Sequence, residues 1–241
     1  VTVNRKVLRC IDNCELMLSM MKMSDPEFKS IMASLVTNDI VERLDLKEMR
    51  LSDKQVVYLT DFFTEENAVT DLILADNNLK GRILQNFFTT IIQKDRLVYL
   101  DIAGNDLRDK DAPMLAEYVK VSEILLYLHM SRNNFTEKSG DIFGKMMMEN
   151  NSILELDISA NRIRCVGAEK FFKGFSKNTN VQKLNFSWNG LGNEGVKAVV
   201  TMLKKNTSLI YFNLNGNRIS GSDLELFFPA LKKNTTLRRL E

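Results

Sequence analysis

Few residues in this chain can carry covalent or acid–base chemistry. His129 is the only histidine in 241 residues, and Cys10, Cys14 and Cys165 are the only cysteines. A nucleophile activated by histidine needs a hydroxyl or thiol within hydrogen-bond reach and a third group to orient the ring. No spacing in the chain assembles such a set around His129. Cys10 and Cys14 stand four apart, on one face if that segment is helical, but a tetrahedral metal site needs two further ligands. The glycine phrases "GNEG" and "SGS" lack the lysine of a phosphate-binding loop. The sequence therefore predicts no catalytic residue, no metal, no cofactor and no small-molecule substrate. Recognition chemistry is what remains: the single tryptophan Trp188, the tyrosines Tyr99, Tyr127 and Tyr211, and the carboxylates Asp101 and Asp157.

These residues acquire meaning from the elements that must position them. The phrase "LDISANRI" at Leu156 recurs as "LDLKEMRL" at Leu44, "LILADNNL" at Leu72, "LDIAGNDL" at Leu100, "LHMSRNNF" at Leu128, "LNFSWNGL" at Leu184 and "FNLNGNRI" at Phe212, and Leu240 opens another copy. Every interval is 28 residues, without insertion. An apolar residue precedes each phrase by three places, so the frame is L-x-x-L-x-L-x-x-N-x-L, the leucine-rich repeat signature. Alternating apolar residues make a short strand. The asparagine after it stands where the backbone turns and loses its ladder partners. A carboxamide can donate and accept there, so Asn77, Asn105, Asn133, Asn161, Asn189 and Asn217 are expected to bridge the turns of adjacent repeats. Met49 interrupts this column, which predicts a less regular first full repeat.

A helical pattern succeeds each turn. Ala168, Phe171, Phe172 and Phe175 have helical spacing, as do Val196, Val199, Val200 and Leu203. The phrase "KNT" closes three of the helices, at Asn178, Asn206 and Asn234, and Asn38 and Asn150 share its column. Asparagine tolerates the left-handed conformation at a helix C-terminus, and lysine suits the negative end of the helix dipole. Strand plus helix per repeat predicts an α/β solenoid, with parallel strands on a concave face and helices on a convex one. Helices are about 10 Å wide and strands about 4.8 Å apart, so the stack curves into a horseshoe. Residues 1–40 read as an N-terminal cap or irregular repeat with a helix from about Pro26 to Val36, and residues 41–241 as the repeats. The chain opens on Val1 and closes inside a strand phrase, "LRRLE", which reads as a piece of a longer protein with its last repeat truncated.

Composition narrows the function class. A net charge of +2 predicts no bulk attraction to nucleic acid or membrane. No run of apolar residues is long enough to span a bilayer. Three cysteines make no disulfide framework, which points to a reducing, cytoplasmic setting.

Strand geometry places alternate residues on the concave face. One column reads Asp45, Ile73, Asp101, His129, Asp157, Asn185, Asn213, and the column two before it reads Arg43, Asp71, Tyr99, Tyr127, Glu155, Lys183, Tyr211. A small column comes next (Ala75, Ala103, Ser131, Ser159, Ser187, Asn215), and after it Glu48, Asp76, Gly104, Arg132, Ala160, Trp188, Gly216. Tyrosine and tryptophan dominate binding hot spots. The expected partner-binding set is therefore Tyr99, Asp101, Tyr127, His129, Arg132, Asp157, Trp188 and Tyr211, and its acids favour a protein partner with a basic surface. The lysines of the helical face read as a solvated surface.

The 28-residue period and phrases such as "LDISANRIRCVGAEKFFKGFSKNTNVQKLNFSWNGLGNEGVKAV" resemble the ribonuclease-inhibitor-like class of leucine-rich repeats over roughly residues 38–241. The cysteine-rich, two-repeat pattern of the ribonuclease inhibitor itself is missing. The resemblance implies a non-catalytic protein-interaction scaffold, in a cytoskeletal or ciliary setting. Its alternatives are a regulator of a small GTPase similar to the Ran GTPase-activating protein, and the sensor arm of a NOD-like receptor.

Overall fold

Short strands with apolar residues every second place, each succeeded by an amphipathic helix, stack here into one sheet backed by one helical layer. The computed structural model describes residues 11–79 and 81–241. Cys10, and with it any pairing with Cys14, lies outside the described residues. The strands are β1 (Ile11–Asp12), β2 (Glu15–Met17), β3 (Arg43–Asp45), β4 (Asp71–Ile73), β5 (Tyr99–Asp101), β6 (Tyr127–His129), β7 (Glu155–Asp157), β8 (Lys183–Asn185), β9 (Tyr211–Asn213) and β10 (Arg239–Leu240). The helices are α1 (Asp25–Leu35), α2 (Asp53–Thr64), α3 (Arg82–Lys94), α4 (Ala112–Val121), α5 (Glu137–Glu149), α6 (Cys165–Phe175), α7 (Gly192–Leu203) and α8 (Gly221–Lys233). The sheet runs in chain order, and β2 to β10 are parallel. Leucines 28 residues apart are direct partners, as Leu72↔Leu100 and Leu128↔Leu156. That makes nine parallel strands among the described residues, one beyond the expected eight or so. The extra one is β2, whose Leu16 pairs with Leu44 in the common register despite its irregular surroundings. At this edge β1 folds back on β2 as an antiparallel pair.

The core lies between the layers. Leu72, Leu100, Leu128, Leu156 and Leu184 are fully buried, as are Phe171, Phe172 and Phe175 from α6 and Val199 and Leu203 from α7. Helices α2, α3, α5 and α6 present phenylalanines inward in edge-to-face pairs, such as Phe63 with Phe87 at 5.8 Å. Between α5 and α6 the backbones themselves touch. A Cβ on Gly140 would fall 2.2 Å from the carbonyl oxygen of Gly167, and one on Gly174 would fall 2.2 Å from that of Gly144. Glycine is needed there for close approach.

The asparagine ladder holds the strand exits. Asn161 Nδ2 donates to the carbonyls of Ile158 and Ser159 in its own repeat and of Met130 in the repeat before, each at 3.1–3.2 Å. Its Oδ1 accepts from Phe135 N–H at 3.2 Å. Asn77, Asn105 and Asn133 repeat the pattern, and the Oδ1 atoms of Asn105 and Asn133 each accept two backbone N–H groups of the preceding repeat. Met49 ends the ladder without the irregularity expected of its repeat. Leu46 carbonyl and Leu51 N–H are both served by Asn77, so β3 and α2 keep the common geometry.

A second ladder sits at the opposite turn, where the conformation differs from the expectation. Asn150 and Asn234 are extended (φ −77°, ψ 135° and φ −75°, ψ 127°), not left-handed. Asn178 Oδ1 accepts from Asn180 and Val181 N–H, while its Nδ2 donates to Met147 and Asn150 carbonyls one repeat back. The amide thus tightens its own turn and ties it to the previous helix end, a task an extended backbone performs and a left-handed one would not. Helix starts are capped too: Ser52 accepts from Gln55 N–H and Ser220 from Asp223 N–H. At α5 the cap is borrowed, since Asp109 of the preceding repeat accepts from Thr136 N–H and Oγ1 and from Ser139 Oγ.

The ladder and the last repeat each yield an expected outcome. Asn161→Ala should lower unfolding stability by about 1–3 kcal/mol, because it leaves buried carbonyl and N–H groups unpaired. Lys173→Ala removes only an exposed pair with Glu169 and should change stability by under about 0.5 kcal/mol. Urea titration compares them, and equal losses would refute the ladder's role. The second outcome concerns the outer side of α8 and β10. Leu224 and Phe228 are exposed, Leu237 and Leu240 are half-buried, and a cleft of about 550 Å³ opens among Ile219, Leu224, Phe228 and Leu240. The 241-residue chain should self-associate through this surface, and Phe228→Glu should return it to monomer in sedimentation velocity. β10 is at most half-buried and pairs on one side only, so its amides should exchange faster than those of β6; equal protection would contradict this.

Candidate partner-binding face

No strand is longer than three residues, so strict alternation governs two concave columns and no more. The middle residue points into the core and its neighbours point out, half-buried in almost every repeat. The next column does not line the face as expected. Ala75, Ala103, Ser159 and Ser187 are buried, because the backbone is already leaving the strand, while Ser131 is half-buried and Asn215 exposed. The column after that is a turn position. Glu48, Asp76, Gly104, Arg132, Ala160, Trp188 and Gly216 all have positive φ, between 50° and 71°. Their side chains stand on the rim where sheet passes to helix, and Arg132 and Trp188 belong there and not on the sheet.

The column of β-strand C-termini has a structural reason for its acids and amides. Asp45, Asp101, Asp157, Asn185 and Asn213 each accept the backbone N–H two residues on, at 2.8–3.2 Å. These are Asx turns that start the exit from the strand. Asp157 also accepts from Asn185 Nδ2 at 3.1 Å. Asp101 and Asp157 thus serve the fold as well as facing the cavity.

At the middle of the sheet the aromatic residues meet. The Tyr99 and Tyr127 rings lie 6.3 Å apart, and the Tyr99 ring meets His129 edge-on at 5.1 Å. Tyr99 Oη and His129 Nδ1 are 3.1 Å apart, and His129 Nε2 lies 3.4 Å from Glu155 Oε1. Glu155 also pairs with Lys183 at 3.1 Å. On the other side the Arg43 guanidinium lies 5.0 Å over the Tyr99 ring while bonding Asp71 at 3.1 Å. Burial, and next the nearby Asp101 charge, pushes the Tyr99 phenol up to about 12. Burial also raises the Asp101 carboxyl above the usual carboxylate range, against the bond from Ala103 N–H that lowers it.

The expected set is therefore split. Tyr99, Asp101, Tyr127, His129 and Asp157 form one continuous patch over β5 to β7. Tyr211 lies three strands beyond Tyr127, about 14 Å away, where it bonds Glu241 at 2.9 Å. Arg132 is held across two repeats by Asp76 in a two-pronged pair of 2.6 and 2.9 Å. Gly104 lies between them, and a Cβ there would meet Asp76 Oδ1 at 2.0 Å. Arg43, Asp76 and Glu155 are the contributors absent from the expected set. Their signal was the 28-residue column: Arg43, Asp71 and Tyr99 fall on successive strands, so a long cation must meet the acid and the ring.

Asp101→Asn tests the structural share of this column. Asn185 and Asn213 make the same turn, so the amide should keep it, and stability at pH 7 should hold or rise. Asp101→Ala loses the turn bond and should cost about 1 kcal/mol. A carboxyl raised by folding costs stability above its folded pKa and recovers it as pH falls. The gap between Asp101→Asn and the native chain should therefore narrow from pH 7 towards pH 4. Thermal melts across that range check the sign, and a gap that widens would refute it.

Among the described residues no group of three or more histidine, cysteine or acidic side chains is placed to hold a metal ion, and no helix is long and apolar enough to cross a membrane. The sequence profile described as Leucine Rich repeat matches residues 177–200 and 205–228. No curated protein matches the chain by sequence. Among solved structures, the leucine-rich repeat-containing protein LegL7 from Legionella pneumophila superposes with a TM-score of 0.57 at 17% identity, over 90% of this chain and 69% of that one. Actin-binding site 2 of leiomodin-1 superposes with a TM-score of 0.55 at 14% identity, over 64% of this chain and 91% of that one. Repeat length, parallel register, helical outer layer and profile agree: the chain folds as a leucine-rich repeat solenoid with the strand-and-helix repeat of the ribonuclease-inhibitor-like type.

Proposed function

We propose that this chain is a non-catalytic protein-interaction scaffold, a solenoid whose residues 1–40 serve as an N-terminal cap or irregular repeat, that holds a protein partner against the centre of its concave sheet. The observation that carries the reading is the Tyr99–Tyr127–His129 cluster. It is solvent-facing, half-buried, and built on strands whose exits are pinned by Asn105 and Asn133 of the asparagine ladder. A rigid aromatic surface binds with little loss of side-chain freedom. The partner's own surface is basic: Asp45, Asp71, Asp101, Glu155 and Asp157 outnumber Arg43 and Lys183 on the two concave columns, even though most of them already hold a bond within the chain. The setting we infer is cytoplasmic and cytoskeletal. It rests on the fold shared with the actin-binding site of leiomodin-1 and on the resemblance read in the sequence, which is also the sole support for a ciliary setting.

Actin is the first partner to test, by co-sedimentation and by fluorescence titration of monomers. Against actin or any partner captured on the folded chain, Tyr99→Ala and Tyr127→Ala should each cost about 2 kcal/mol of affinity, near thirtyfold. Charge reversal at Asp157 should mainly slow association, and more so at low salt. The helix-face changes Lys173→Ala and Lys204→Ala should leave binding intact. Loss of binding in the helix-face variants, with binding kept in the tyrosine variants, would place the partner on the convex side and overturn the reading.

A further inference from the structure

The rim at the exits of β7, β8 and β9 carries chemistry opposite to that of the sheet. Trp188 is 68% exposed, yet its indole rests on the next repeat: a Cβ on Gly216 would fall 2.7 Å from its Cδ2. Arg164 is laid down in the same way across Gly190, whose added Cβ would fall 2.8 Å from Arg164 Cγ. Gly190 has no positive φ, so its backbone does not demand glycine; the room for the Arg164 stem does. Arg218 stands on the far side of Trp188. A cleft of about 350 Å³ opens between Arg164, Gly192, Trp188, Gly216 and Arg218. Arg43, Arg96, Arg108, Arg132 and Arg239 each hold a carboxylate. Arg164 and Arg218 hold none among the described residues, and their guanidinium groups face solvent beside the one large exposed aromatic ring of this rim.

We propose that this rim cleft docks an acidic peptide segment of a protein partner, with carboxylates on Arg164 and Arg218 and an apolar side chain on Trp188. It is a second docking point, separate from the concave patch. The guanidinium fork matches carboxylate geometry, and an unpaired guanidinium gives up no existing bond on binding. Trp188 offers a wide apolar face in a fixed orientation, because Gly216 beds it. A single-stranded nucleic acid would ask for a track of cations and several stacking rings. The rim supplies one ring between two cations.

Trp188 is the only tryptophan in the chain, so its emission reports the cleft without a label. The experiment titrates the whole chain with a capped five-residue peptide of four glutamates around a central leucine. A saturable blue shift is expected, with affinity falling as salt rises. Arg164→Ala and Arg218→Ala should each weaken binding by about tenfold, and Arg164→Lys should recover only part of it, since ammonium lacks the fork. Tyr127→Ala should not alter the titration. No saturable shift, or unchanged affinity in both arginine variants with native circular dichroism, overturns the proposal. So does tighter binding of a thymidine oligonucleotide than of the peptide. Loss of peptide binding in Tyr127→Ala, with the arginine variants binding normally, would move the peptide to the sheet; the rim proposal then fails while the concave reading stands. The converse result, arginine-dependent peptide binding with tyrosine variants that still hold the protein partner, would sustain the rim and sink the concave patch.

Discussion

The structure depends on how a chain leaves a three-residue strand inside a protein core. At that exit the carbonyl and N–H groups have no strand to pair with, and leaving them bare costs about 1–3 kcal/mol each. One carboxamide per repeat answers for up to five of them. Asn105 shows the full set: three carbonyls accept from its Nδ2, and two N–H groups of the previous repeat donate to its Oδ1. Because part of each set belongs to the repeat before, the ladder fixes the stacking of repeats as well as the turn. It also holds the residue before the asparagine in the left-handed region, where Asp76, Arg132, Ala160 and Trp188 all sit against their intrinsic preference.

With the second ladder at Asn150, Asn178 and Asn206, both turns of the repeats that carry β7, β8 and β9 are tied to the preceding one. The sheet between them has little freedom to shift, so residues 28 apart become fixed neighbours. The face is then a lattice on which charges find partners by column. Arg43 takes Asp71, Lys183 takes Glu155, and Asn185 takes Asp157. Exposed pairs of this kind add little stability. Their effect is to specify the surface, on which the rings of Tyr99, Tyr127 and His129 meet among charges that are already held in place.

The convex layer responds to side-chain size. Between α2 and α3 phenylalanine rings fill the contact; where Gly140, Gly144, Gly167 and Gly174 face one another, α5 and α6 meet backbone to backbone. Curvature arises from the mismatch between helix and strand spacing. A closer helix pair reduces that mismatch beneath β6 and β7, the strands that carry Tyr127, His129 and Asp157.

The 28-residue interval, the alternation of leucines and the helical spacing of Phe171, Phe172 and Phe175 were enough to determine fold class, strand register and core, because periodicity states which side chains share a face. The amide ladder was legible for the same reason: a polar residue recurring at a buried position must answer a recurring backbone need. The local conformation of Asn150 and Asn234 was not legible, since asparagine suits both left-handed and extended turns and the neighbouring helix end decides between them. Nor was the placement of Trp188 and Arg132, because alternation lapses after three residues and the left-handed turn then swings the side chain out to the rim. Above all, a sequence names charges without their partners. Only stacking across one or two repeats shows that Arg132 is bound to Asp76 through the gap left by Gly104, that Asp101 and Asp157 brace strand exits, and that Arg164 and Arg218 have no carboxylate partner among the described residues beside Trp188. Those are distances between residues far apart in the chain, and they are set by packing.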